Sequence, residues 1–74
     1  MKCYKITENN ITYDVQEYVS GDKYWYLNGK LHREDGPAIE YYNGYKEYYY
    51  NGKYLANINS NKELKRYIKF QSIS

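Results

Sequence analysis

Apolar and polar residues alternate along this chain in short runs, and Asn-Gly pairs punctuate them. Ile11, Tyr13, Val15 and Val19 alternate with Thr12, Asp14, Gln16 and Tyr18, which is the period of a half-buried strand. Glu17 interrupts the apolar set and marks an edge or a bend. Tyr4 and Ile6 predict a short first strand, followed by a turn at Glu8-Asn9-Asn10; Ser20-Gly21-Asp22 is the next turn. Residues 23–27 predict a strand that reverses at Asn28-Gly29 and returns through Lys30-Leu31-His32. Ala38 to Tyr42 pairs with Tyr45 to Tyr50 across Asn43-Gly44, and Lys53 to Leu55 closes the series across Asn51-Gly52. An Asn-Gly between such runs signals a two-residue type I′ hairpin, because both central residues need φ > 0. The fold class expected is mainly β (α+β): an antiparallel meander of five to seven strands.

Two-residue turns also set the register. Trp25 falls opposite His32, and Tyr26 opposite Leu31. Across Asn43-Gly44, Ile39 faces Tyr48, Glu40 faces Glu47, Tyr41 faces Lys46 and Tyr42 faces Tyr45. Across Asn51-Gly52, Tyr48 faces Leu55 and Tyr49 faces Tyr54. Ile39, Tyr48 and Leu55 then share a core face. Tyr42, Tyr45, Tyr49, Tyr54, Glu40 and Glu47 share the opposite one.

The carboxy-terminal part changes character. Asn59-Ser60 with Glu63 reads as a capping box, and Leu64, Tyr67 and Ile68 recur at helical spacing, so a helix is expected from about 61 to 70. Lys62, Lys65, Arg66 and Lys69 fall on the face away from that apolar stripe. Residues 61–74 hold four basic groups and one acid. This is most simply a solvated face; its alternative is a phosphate-contacting row.

Tyrosine supplies 13 of the 74 residues, against one Trp and one Phe, so some tyrosines are expected to serve a surface. A chain of this length makes one domain, 1–74, with a thin stability margin. Cys3 is the one cysteine, which excludes an internal disulfide and suits a reducing compartment. With one Cys and one His, no zinc site is expected, and no Gly-rich phosphate loop is present, so no cofactor is expected. No apolar run reaches transmembrane length, and Met1-Lys2-Cys3-Tyr4-Lys5 does not resemble a leader; a cytoplasmic protein is expected. The net charge of +2 names no partner.

Lys23-x-Trp25-Tyr26-Leu27-Asn28-Gly29-Lys30 superposes on Lys46-x-Tyr48-Tyr49-Tyr50-Asn51-Gly52-Lys53, a period of 23 residues. The run from Trp25 through His32-Arg33-Glu34-Asp35-Gly36-Pro37-Ala38 resembles the MORN-variant repeats (W-Y-x-N-G-K-x-H-R-x-D-G-P-A) of phage and giant-virus proteins. The resemblance covers roughly residues 23–55. Its second copy departs after Lys53, where Tyr54-Leu55-Ala56-Asn57 replaces the Leu-His-Arg-Glu part. It implies β-hairpin units, a viral protein and a binding or scaffold role.

His32-Arg33-Glu34-Asp35 brings a base, a cation and two acids together in sequence, but strand neighbours point to opposite faces and do not converge. A charged turn, with Arg33 paired to a carboxylate, is the simpler reading. His32 is read as packed against Trp25, with a pH-sensitive contact as the alternative. Glu40 opposite Glu47 resembles the carboxylate pair of a retaining glycosidase, yet a chain this small has little room for a substrate cleft, so no enzyme is expected. The tyrosine face suits a protein interface. It also suits base stacking, or burial under the terminal helix or the first hairpin.

The resemblance, with the small size, implies the favoured function: a phage-type protein-binding module, a steric inhibitor of a host protein, for example of the anti-CRISPR kind. Its partner would be a host protein, a nucleic-acid-processing defence complex being one candidate. Nucleic-acid binding through the tyrosines and the basic helix is one alternative. A structural repeat protein that self-assembles through an open sheet edge is another.

Overall fold

The computed structural model describes residues 1–73, so the last residue of the expected 1–74 domain lies outside the described residues. The amino-terminal hairpin pairs β1 (Lys2–Glu8) with β2 (Ile11–Glu17) along their full lengths. Asn9 and Asn10 close it with φ of 50° and 68°, the left-handed pair that a type I′ turn demands and that Asn tolerates. The first strand is thus longer than the Tyr4–Ile6 pattern predicts. β2 ends at Glu17. Tyr18 to Asp22 form a closed turn in which the Tyr18 N–H donates to the Asp22 carbonyl at 2.9 Å. Val19 leaves the apolar alternation there and stands 97% exposed.

β3 (Lys23–Leu27) is the hub of the sheet. One edge pairs with β2. The other is shared by β4 (Lys30–Leu31), opposite Tyr26 and Leu27, and β5 (Ile39–Glu40), opposite Lys23 and Tyr24. Trp25 joins the two halves: its carbonyl accepts the His32 N–H at 3.1 Å, and its N–H donates to the Ala38 carbonyl at 2.8 Å. Residues 33–37 therefore leave the sheet as an excursion and come back to the same strand. β6 (Lys46–Glu47) completes a six-stranded antiparallel sheet beside β5. β7 (Tyr49–Tyr50) and β8 (Lys53–Tyr54) make a separate two-stranded sheet.

The 23-residue repeat has a structural counterpart. Asn28-Gly29 and Asn51-Gly52 both close two-residue turns with positive φ at each position. Trp25 and Tyr48, equivalent in the repeat, both accept the N–H of the residue seven positions on, His32 and Leu55. The second hairpin is attached to the first through the Gly52 N–H, which donates to the Leu31 carbonyl at 2.8 Å.

Asn43-Gly44 departs from the expected geometry. Only Gly44 is left-handed, at φ 91°, and the Tyr41 N–H donates to the Tyr45 carbonyl at 2.8 Å. The loop therefore holds three residues, 42–44, with Gly in the αL position, the common alternative to a two-residue turn. One extra loop residue shifts the register by one. Ile39 lies opposite Glu47 and Glu40 opposite Lys46, so the expected pairs Ile39–Tyr48, Glu40–Glu47, Tyr41–Lys46 and Tyr42–Tyr45 do not form. The expected strand from Tyr45 to Tyr50 is split between the two sheets, with buried Tyr48 between them.

Two clusters fill the interior. Tyr13, Val15 and Trp25 pack with Tyr4, Ile6, Ile11 and Leu27 on one face of the large sheet. Tyr48, Leu55 and Leu64 pack with Tyr50, Ile58, Tyr67 and Ile68 between the small sheet and α1 (Asn61–Ile73). Ile39 is buried but belongs to neither cluster; its neighbours across the strands are Tyr24 and Glu47. The helix starts where the capping box predicts: the Glu63 N–H donates to Ser60 Oγ, and the Glu63 carboxylate accepts from Ser60 Oγ and the Asn59 N–H. It runs about three residues past the expected end. Among the described residues no helix is long and apolar enough to cross a membrane.

Candidate functional site

Strand alternation sends Tyr24 and Tyr26 to the side of the large sheet opposite Trp25. The ring of Tyr24 sits edge-on between Tyr18, at 5.2 Å, and Tyr41, at 6.4 Å. From Tyr41 the row continues to Glu47, whose Oε1 accepts the Tyr41 hydroxyl at 3.2 Å and the Tyr49 hydroxyl at 3.4 Å. The ring of Tyr49 in turn meets Tyr54 at 5.4 Å. A tyrosine row thus crosses from the turn after β2 to β8 over one side of the molecule. The helix lies on the other side of the small sheet, against Tyr48, Tyr50 and Leu55. It therefore leaves the row uncovered, contrary to the reading in which it buries this face.

The row opens into a depression of about 430 Å³, lined by Tyr41, Asn43, Tyr45, Lys46, Glu47 and Tyr54. Tyr45 is 72% and Tyr54 51% exposed. Burial, and after it the negative charge and hydrogen bond of Glu47, pushes the Tyr41 phenol up to about 12. The same causes raise Tyr49.

The structure brings together four of the six expected contact residues: Tyr45, Glu47, Tyr49 and Tyr54. The other two are corrections. Glu40 pairs with Lys23 and so faces the Trp25 side, while the register shift puts Glu47 opposite Ile39 on the other face. Its carboxylate accepts Arg33 Nη1 at 2.7 Å. Tyr42 stands 73% exposed on the loop, where its N–H donates to Asp22 at 2.7 Å, and it does not line the depression. Tyr41 is absent from the expected contact set; the register shift brings Glu47 to the Ile39 face, which Tyr41 shares by strand alternation. The signal that could have found it is the ambiguity of Asn-Gly itself, which also serves three-residue loops with Gly left-handed.

His32-Arg33-Glu34-Asp35 forms a structural knot. The guanidinium of Arg33 lies 3.6 Å from the Trp25 ring centroid, where the sequence reading placed His32. It donates to both oxygens of Glu8, to Glu40 and to the Pro37 carbonyl. Burial opposes its charge, but Glu8 and Glu40 outweigh that and raise its pKa. His32 is 2% exposed. Its Nδ1 accepts the Asn51 N–H at 2.8 Å, which leaves the proton of the neutral ring on Nε2, 2.8 Å from Glu34. Its ring neighbour is Tyr50, at 4.8 Å. The cation and the imidazole of this knot are thus both engaged by other parts of the chain.

The basic helix face is likewise partly used. Lys62, Arg66 and Lys69 are exposed, but Lys65 turns to Asp35 at 2.7 Å and holds that carboxyl below its usual range. One of the four expected phosphate-contacting residues, Lys65, therefore has an ion-pair partner within the chain. Among the described residues no three of His, Cys, Asp and Glu converge on a metal-sized site. No protein-family model matches the chain, and no curated protein or solved structure is similar enough to it to show a relationship.

Proposed function

We propose that this protein is a non-enzymatic binding module that docks a protein partner on its uncovered tyrosine face. The observation that carries this reading is the exposure of Tyr45 and Tyr54 beside a carboxylate in a depression that neither the helix nor the first hairpin fills. Tyrosine presents a large rigid area with a polar tip, and a small domain leaves such rings bare mainly where something else is to cover them. The resemblance of residues 23–55 to MORN-variant repeats and the small size fit a phage protein that sterically inhibits a host protein, of the anti-CRISPR kind.

Affinity capture with the tagged protein, run beside a Tyr45→Ser/Tyr54→Ser variant, tests this. A host protein held by the parent and lost by a variant of unchanged melting temperature supports the reading. Equal capture by both removes it.

Nucleic-acid binding is the second reading, favoured by exposed Lys62 and Arg66. The tyrosine row carries Glu47 at its centre, however, and a carboxylate repels a phosphate backbone. Oligonucleotide affinity that falls steeply with salt would favour this second reading. Self-assembly is the third, because β1 is an edge strand seven residues long. A monomeric mass by light scattering would remove it.

A further inference from the structure

We propose that the depression around Glu47 is a receptor for an arginine side chain presented by the partner protein. This inference rests on the reading of the tyrosine face as a docking surface and names the group it recognises.

Three observations converge on a cation. Tyr41, Tyr45, Tyr49 and Tyr54 supply aromatic surface around one point, and a ring face attracts positive charge. Glu47 stands at that point. Both phenols that reach it use the same oxygen, Oε1, at 3.2 and 3.4 Å, longer than an optimal O–H···O bond. Oε2 takes neither, so the carboxylate keeps the capacity for a stronger, charge-assisted donor. Tyr41, Tyr45 and Tyr54 line the depression beside Glu47, a combination that suits a flat group that can stack on a ring and donate through its edge. Guanidinium does both, whereas ammonium is a compact point charge that holds its water.

The chain already solves the same problem internally. Arg33 lies over the Trp25 ring while Glu8 and Glu40 accept from its edge. The Glu47 depression repeats that chemistry, an aromatic face beside a carboxylate, with the cation left to come from outside. Lys46 is the one opposing group. It lines the rim, and its ladder position places it on the Glu40 face, so its charge weakens the site without filling it.

The test is an NMR titration of the full chain with the peptide acetyl-Gly-Arg-Gly-amide, beside the same peptide with citrulline or lysine in place of arginine. One side chain on an open site binds in the millimolar range. Amide shifts confined to residues 41–47, 49 and 54, absent with citrulline and several-fold weaker with lysine, support the proposal. Glu47→Gln, which keeps the shape, then weakens the arginine peptide roughly tenfold, and Lys46→Gln strengthens it about twofold. Equal response to citrulline, shifts centred elsewhere, or indifference to Glu47→Gln overturns it. Concentration-dependent shifts of the same residues without peptide would show instead that a second copy fills the site, and would also overturn it. If capture of the partner depends on Tyr45 and Tyr54 but not on Glu47, the docking surface stands and the arginine receptor falls.

Discussion

Arg33 and Trp25 are stacked with 3.6 Å between the guanidinium carbon and the ring centroid, and the contact locks the excursion of residues 33–37 to the face of β3. The Arg33 side chain is 12% exposed and shared by Glu8 and Glu40. Removing it leaves two carboxylates without their cation and uncovers the indole. Arg33→Ala is expected to lower unfolding free energy by about 2–3 kcal/mol, less than a fully buried pair costs, because Glu8 and Glu40 keep 20% and 36% exposure. Arg33→Lys should recover only part of it, because one ammonium cannot reproduce the planar fork. Urea denaturation of the variants checks both values.

Gly36 is buried against that same guanidinium. A Cβ there would lie 3.0 Å from Arg33 Cζ and Nη1, and four hydrogen bonds leave the guanidinium no freedom to yield. Gly36→Ala should cost about 1–3 kcal/mol by overpacking. Against an Arg33→Ala background the cost should shrink, so a double-mutant cycle reads the coupling directly.

The three Asn-Gly turns are not equivalent. Asn28 and Asn51 hold φ of 53° and 51°, where Ala is strained, whereas Asn43 lies outside the left-handed region. Asn28→Ala and Asn51→Ala should each destabilise by about 1 kcal/mol. Asn43→Ala should cost less, since it loses chiefly its exposed bond from the Tyr45 N–H. At Gly44, with φ 91°, alanine should again be costly. Thermal melts of the four variants give the ranking, and Asn43→Ala as harmful as Asn51→Ala would contradict the three-residue loop.

Alkaline pH should loosen the tyrosine row. Burial, then Glu47, raises the Tyr41 phenol from 10.0 to about 12 in the folded chain. A folded pKa above the unfolded value means stability that is complete below pH 10 and lost as pH rises toward 12. Tyr13 and Tyr49 shift the same way, chiefly through burial. Phenolate absorbance followed against pH should show a late-titrating subset. In Glu47→Gln, Tyr41 should titrate earlier, with burial still holding it above an ordinary tyrosine.

Much of this architecture was legible from local chemistry. Asn-Gly turns, period-two alternation and a capping box are short-range signals, and they located the hairpins, the inward set of Tyr13 and Val15, and the first turn of the helix. The Asn51-Gly52 turn correctly paired Tyr49 with Tyr54, because a two-residue turn leaves one register. Only the tertiary structure decided whether Asn43-Gly44 makes a two- or a three-residue loop. The dipeptide allows both, and the choice depends on what the flanking strands bury. With the shorter loop Glu40 would face Glu47, two like charges in contact. With the longer one Glu40 reaches Arg33 from one side of the sheet, and Glu47 gathers tyrosines on the other. Arg33 and Glu8 are 25 residues apart, and no local pattern announces their contact. That one-residue slip, decided by distant partners, separates a partly buried ion pair from an exposed aromatic site.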